Sequence, residues 1–174
     1  PPEEEMPQRA EMHKTELVET AAALCRDRAD AGDEKALASF VRLFYAHVPP
    51  EDVLERAPED LFGAAASLWR FAAVREPGKA KLRVLNPDPA RDGWSSLRTI
   101  VEIVNDDMPF LVDSVTAALN GYGATVNLVI HPVVRVRRDG SGRIVELLTG
   151  PEPDGADALR ESMMHVEIGE ERDP

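Results

Sequence analysis

The sequence has one cysteine, few aromatic residues (5%), no excess of positive charge and no long apolar run. Each shortage excludes something. The single thiol, Cys25, cannot form an internal disulfide, which fits a reducing, cytoplasmic setting. A formal charge of −12 argues against nucleic acid or an anionic membrane as the main partner, because both require a basic surface. Only Arg135-Val136-Arg137-Arg138 is locally basic, and it reads as the tip of a hairpin. No apolar stretch approaches the roughly 20 residues of a membrane-spanning helix. The start, Pro1-Pro2-Glu3-Glu4-Glu5, is acidic, unlike the basic start of a signal peptide. Gly121-Tyr122-Gly123 and Gly140-Ser141-Gly142 each lack the third glycine of a dinucleotide-binding loop, and no phosphate-cradling Gly-Lys-Ser/Thr loop exists. No set of residues completes an active site, so the expected catalytic, cofactor-binding and metal-ligating residues are none.

What is present is material for a core. Apolar residues make up 43% of 174, enough for one medium domain or two small ones. The first half reads as helices. Leu17, Ala21, Leu24 and Cys25 share one face at 3.6-residue spacing. Leu37, Phe40, Val41, Phe44 and Val48 make a second stripe, entered through Asp33 as N-cap and stopped by Pro49-Pro50. Glu51 to Arg56 reads as a short helical turn. Pro58 starts a third helix, with Leu61, Ala65, Leu68, Trp69 and Ala72 facing inward and Pro77-Gly78 ending it.

The second half changes period. Lys81 to Leu85 and Thr99 to Val104 read as strands, with a loop from Asn86 to Gly93 between them. Asn105-Asp106-Asp107-Met108-Pro109-Phe110 is an acidic turn, and Leu111, Val115, Ala118, Leu119 and Tyr122 form a helix stripe behind it. Pro109 fits the first helical position, where its missing N–H costs nothing. After Gly123, alternation from Val126 to Val136 predicts one long strand with a core face and a more polar face. Asp139-Gly140 supplies a hairpin turn. Ile144 to Leu148 returns, Pro151 to Asp157 is loop, and Met164, Val166 and Ile168 alternate as a last strand. The expected domains are a disordered acidic start over 1–14, a helical bundle over 15–78 and an α+β domain over 79–174.

Strand, acidic-proline turn, helix, glycine stop and strand resemble the small-molecule-sensing ACT domain, a ferredoxin-like βαββαβ sandwich. Asp107-Met108-Pro109-Phe110-Leu111 is similar to its turn pattern, with Phe110 standing where that pattern has glycine. Longer phrases are similar to the amino-terminal region of the large bacterial NAD-specific glutamate dehydrogenases. They include Phe40-Val41-Arg42-Leu43-Phe44-Tyr45, Lys81-Leu82-Arg83-Val84-Leu85-Asn86-Pro87, Gly93-Trp94, Thr99 through Val115, and His131-Pro132-Val133. The resemblance implies an α+β fold: a helical bundle followed by an ACT-like, βαββ-type sandwich. A typical unit continues past Val166 into a second helix and a last strand, so the expected sheet is truncated, a piece of something longer. It also implies a non-catalytic regulatory or assembly segment of an enzyme that oxidises glutamate to 2-oxoglutarate and ammonium with NAD, whose catalytic part lies downstream. The implied partners are later domains of the same chain, sister subunits and an amino-acid effector. The alternative is a free-standing amino-acid-sensing module.

Four groups of residues bear chemistry that competes with plainer roles. Asp106 and Asp107 could act as an acid/base pair, but adjacent acids more often balance a helix start. The turn residues Asn105, Asp106, Asp107, Met108, Pro109 and Phe110 could dock an amino acid through exposed N–H groups, with Phe110 narrowing the approach. Glu102, His131, His165 and Glu167 fall on the sheet's non-core face, where a solvated or partner-covered surface is expected rather than zinc. Cys25 reads as a packed small hydrophobe.

Overall fold

The computed structural model describes residues 2–151, 155 and 157–171, with side chains from residue 6 onward. The chain divides into two compact units, Pro1–Ala66 and Ser67–Pro174. Helices come first and an antiparallel sheet follows, the α+β class that the change of period predicts.

The first unit holds α1 (Pro2–Ala23), α2 (Cys25–Arg28), α3 (Glu34–Tyr45), a 3₁₀ turn (Pro50–Asp52) and the start of α4 (Pro58–Ala72). The second stripe is buried as read: Leu37, Phe40, Val41, Phe44 and Val48. Its rings pack edge-on, Phe44 against Tyr45 at 4.8 Å, and the buried Tyr45 hydroxyl donates to the Leu61 carbonyl at 2.8 Å. The helix α1 occupies positions where a disordered start over 1–14 was expected; residue 1 lies outside the described residues. The loop expected over 151–157 lies largely outside them too.

The second unit begins earlier than residue 79, inside α4. The end of that helix supplies carbonyls to arginines of the sheet: Arg83 reaches Ser67 O at 3.1 Å, and Arg138 reaches Ala72 O at 2.9 Å. Its strands are β1 (Lys81–Leu85), β2 (Thr99–Asp106), β3 (Val126–Ile130), β4 (Val133–Arg138), β5 (Ile144–Leu148) and β6 (Leu159–Ile168). The sheet order is β1-β2-β6-β4-β5, with β3 also on β6. The loop after β1 contains a short helix, α5 (Pro89–Asp92), whose N-cap Asp88 accepts from the N–H groups of Ala90 and Arg91.

The long strand expected from Val126 to Val136 is two strands, β3 and β4, laid end to end along β6. Pro132 causes the break. It has no N–H for the ladder, and its carbonyl instead accepts from Met163 N at 3.1 Å. The helix α6 (Leu111–Gly121) packs on one face of the sheet. Leu111, Val112, Val115 and Leu119, all half-buried, lie over Val101, Ile103, Met164, Val166 and Ile168. Ala118 and Tyr122, which the predicted stripe placed inward, are exposed. The hairpin turn is longer than Asp139-Gly140 alone: Gly142 N donates to Asp139 O and Asp139 N to Arg143 O, both at 2.9 Å. Gly142 holds φ +80°, and a Cβ there would sit 2.4 Å from the Arg75 carbonyl oxygen. Only glycine allows that approach.

Candidate functional site

The turn Asn105–Phe110 divides between two elements. β2 runs two residues further than its apolar run, so Asn105 and Asp106 are strand residues. The reason is a partner the local pattern does not show. The Asp106 carboxylate accepts from Arg75 Nη2 at 2.6 Å, and the same nitrogen donates to Glu161 at 2.8 Å, directly across the ladder from Asp106. The Arg75 hydrogen bond holds the Asp106 carboxyl below the usual carboxylate range. A carboxylate held this way is a poor proton acceptor at neutral pH.

Asp107 follows the strand. Its N–H donates to Arg160 O at 3.0 Å and its carboxylate meets the exposed Arg160 guanidinium at 3.3 Å. Met108, Pro109 and Phe110 are exposed. Pro109 is not the first helical residue: α6 starts at Leu111, with Phe110 as its N-cap at φ 62°, ψ 13°. Among the described residues, Phe110 is the one non-glycine with positive φ. A left-handed cap at Phe110 displaces the helix start by two residues from the proline. The first N–H groups of α6 lack intrahelical acceptors by geometry, and Ser114 N→Phe110 O at 2.9 Å opens the helical pattern.

Behind the turn, the sheet gathers charge that the sequence pattern does not connect. Glu161, fully buried, accepts from Arg138 through Nε at 2.8 Å and Nη2 at 2.7 Å, besides Arg75. Burial alone would raise the Glu161 carboxyl, but the Arg138 and Arg75 hydrogen bonds outweigh it and hold it low. Next along the same face, Glu102 accepts from Arg83 Nε at 2.6 Å and lies opposite His165 in the ladder. His165 stands 3.5 Å from the Glu167 carboxylate and 6.3 Å from the Trp94 ring centroid. All four residues of the proposed polar face were read as solvated or covered by a partner. Glu102, His165 and Glu167 are instead buried.

His131 is not with them. It sits in the break between β3 and β4, half-buried, with Nε2 at 2.6 Å from Ser162 Oγ. Burial pushes its imidazole below the ordinary value, with Asp107 pulling the other way. A Ser–His hydrogen bond near an aspartate is an acyl-transfer arrangement in outline. Ser162 is fully buried in β6, however, so its hydroxyl faces the imidazole and not a substrate. Among the described residues, no group of three or more His, Cys, Asp or Glu is arranged to hold a metal ion. Cys25 is buried, and burial pushes its thiol up, away from the reactive thiolate. No helix among the described residues is long and apolar enough to cross a membrane.

Arg75, Glu161 and Ser162 were missed by sequence reasoning, and Arg138, read as part of a hairpin tip, is instead a β4 residue whose buried side chain pairs with Glu161. The available signal was parity: Glu161 shares alternation with Met163, His165 and Glu167, so a carboxylate sits in a line of buried positions.

The family description "Glutamate dehydrogenase, ACT1 domain" matches residues 40–174. A protein of Halomonas elongata named NAD-specific glutamate dehydrogenase is 37% identical over 161 residues, covering 92% of this chain and 10% of the relative. A Pseudomonas aeruginosa protein of the same name is 35% identical over 129 residues, covering 74% of this chain and 8% of the relative. The chain thus spans about a tenth of the length of these curated relatives. No solved structure matches it.

Proposed function

The chain belongs to the glutamate dehydrogenase ACT1 domain family, and from that premise we propose that it is a non-catalytic assembly and regulatory segment of a long NAD-specific glutamate dehydrogenase. The parent oxidises L-glutamate to 2-oxoglutarate and ammonium in the cytoplasm. NAD binds in a downstream catalytic part, while this segment contacts later domains and sister subunits. The observation that carries this reading is how its ionisable groups are used. Asp106 and Glu161 are held by Arg75 and Arg138, and Glu102 by Arg83. Asp106 and Glu161, held low by these pairings, are poorly suited to exchange protons with a substrate.

The test compares the long polypeptide with and without residues 1–174. Loss of native oligomer size, or of response to amino acids, is the expected result. Reduction of NAD by the purified 174-residue chain with glutamate would end the proposal. The second reading, a free-standing sensor that docks an amino acid at Asn105–Phe110, draws on the exposed turn at the start of α6. A ligand-dependent rise in melting temperature of the purified chain supports it, and a flat response across the amino acids removes it.

A further inference from the structure

We infer that the cleft between α1 and the end of α3 binds a small monocarboxylate, held by Lys14 and Arg42. The site goes beyond the assembly role proposed above and does not rest on it. The cleft encloses about 220 Å³ and lies wholly within the first unit. Two helix faces line it. Glu11, Lys14, Thr15 and Val18 recur at three- and four-residue spacing on α1, and Arg42, Tyr45 and the C-cap Ala46 do the same on α3.

Lys14 is the unusual member. It is 7% exposed, and lysine is rarely buried so far without a close partner. Its ammonium carries three N–H donors. One reaches Ala46 O at 3.4 Å, the long end of the hydrogen-bond range, and the Glu11 carboxylate stands 3.7 Å away. Among the described residues no other acceptor is within its reach. Capping the end of α3 accounts for the first contact and leaves the other donors unused. Arg42 donates through Nε and Nη2 to Glu19, at 2.7 and 2.8 Å, and its Nη1 has no acceptor among the described residues. The hydroxyls are already committed. Thr15 donates to Glu11 O at 2.9 Å, and Tyr45 to Leu61 O at 2.8 Å. The unmet capacity is therefore that of cationic donors, and an anionic acceptor fits it.

Charge and size narrow the anion. Lys14 and Arg42 face Glu11 and Glu19, so the four charges of the cleft cancel. A dianion such as phosphate would leave two uncompensated charges at the carbonyl end of α3, where the helix dipole disfavours anions. A carboxylate leaves one, and its two oxygens give each cation an acceptor. Val18, Tyr45 and Ala46 form the apolar remainder of the wall, against which a short alkyl stem can lie. The volume falls below the roughly 300–1,000 Å³ of sites for drug-sized ligands, so the stem is a few carbons long.

Isothermal titration calorimetry of the purified chain with sodium butyrate, at ionic strength held constant with sodium chloride, tests the site. The expected result is saturable binding, with acetate about tenfold weaker because each buried methylene is worth about fourfold. Phosphate should bind more weakly than butyrate. Lys14→Met keeps the apolar stem and removes the ammonium, and should weaken butyrate about tenfold or more. Thr15→Trp, at an exposed helix position, leaves both cations in place and blocks the cleft. It should abolish binding with unchanged circular dichroism, and it decides alone if Lys14→Met does not fold. A wild-type chain without saturable butyrate binding overturns the proposal. So does wild-type affinity in Thr15→Trp or in folded Lys14→Met. Phosphate binding as tightly as butyrate overturns the assignment to a monocarboxylate.

Discussion

Phe110 gives the sharpest test of the turn. Its backbone sits in the left-handed region at φ 62°, while the residue is 77% exposed. A left-handed conformation costs an L-residue about 1–2 kcal/mol, and glycine escapes that cost. Glycine loses about 0.5–1 kcal/mol in extra chain entropy. The covered quarter of the residue contributes about 0.5 kcal/mol, taken as that share of a fully buried side chain. Phe110→Ala loses the ring contact and keeps the strain. Phe110→Gly loses the same contact and relieves the strain. Glycine should therefore exceed alanine by about 0.5–1 kcal/mol, or about 2–4 °C in melting temperature. At an ordinary right-handed helical position the order reverses, since alanine is there the better residue by about 1 kcal/mol. The sign decides. Urea unfolding followed by tryptophan fluorescence is the assay, because Trp69 and Trp94 both belong to the sheet-bearing unit. An alanine variant as stable as the glycine variant, or more so, refutes the left-handed cap.

Further tests address the buried charges. Glu161→Ala leaves Arg75 and Arg138 buried without their shared carboxylate and should cost about 3–5 kcal/mol in urea unfolding; a loss below about 1 kcal/mol would remove the pairing from the account. The Asp106 and Glu161 carboxyls are both held below their unfolded values. The unfolded chain therefore binds more protons as pH falls past those values, and stability present above about pH 4.5 is lost below it. Asp106→Asn should lower stability most above about pH 4.5 and least at acid pH, where the aspartate is already protonated, and so make the acid limb shallower; an unaltered limb refutes the Arg75 linkage. Ser162→Ala removes the hydrogen-bond partner of a half-buried imidazole and should cost about 1–2 kcal/mol, read by the same unfolding assay. An unchanged midpoint would show that the contact contributes nothing.

Much of the fold was legible because periodicity reports burial. Lys81 to Leu85 is a strand with the bounds read from its pattern, and the Leu37–Val48 stripe is buried throughout. The failures share one physical form: a long-range partner overrides a local signal. β2 extends to Asp106 because Arg75, 31 residues away, reaches its carboxylate. The strand break at His131-Pro132 was hidden because the alternation keeps its parity through it. Only the missing proline N–H distinguishes one kinked strand from two. The turn was legible as a turn, but its conformation was not, since phenylalanine is an improbable left-handed residue. Alternation also separated a polar face from an apolar one without saying that arginines from outside β2 and β6 would seal it.

That seal explains why charged residues occupy buried positions where apolar ones would pack as well. Replacing a buried ion pair with hydrophobes is often neutral or stabilising, so the pairs are weak evidence for stability. Their stronger effect is on register. A one-residue slip of β6 against β2 sends every side chain to the opposite face. Glu161, His165 and Glu167 would then enter the apolar face under α6, losing Arg75 and Arg138, while Met164 and Val166 would face the arginines. Each misplaced carboxylate would be desolvated without a partner, a penalty of several kcal/mol per ion. An all-apolar sheet would slip at far smaller cost. The buried charges therefore specify one pairing of β2 with β6, and that pairing sets where β2 ends and where α6 begins.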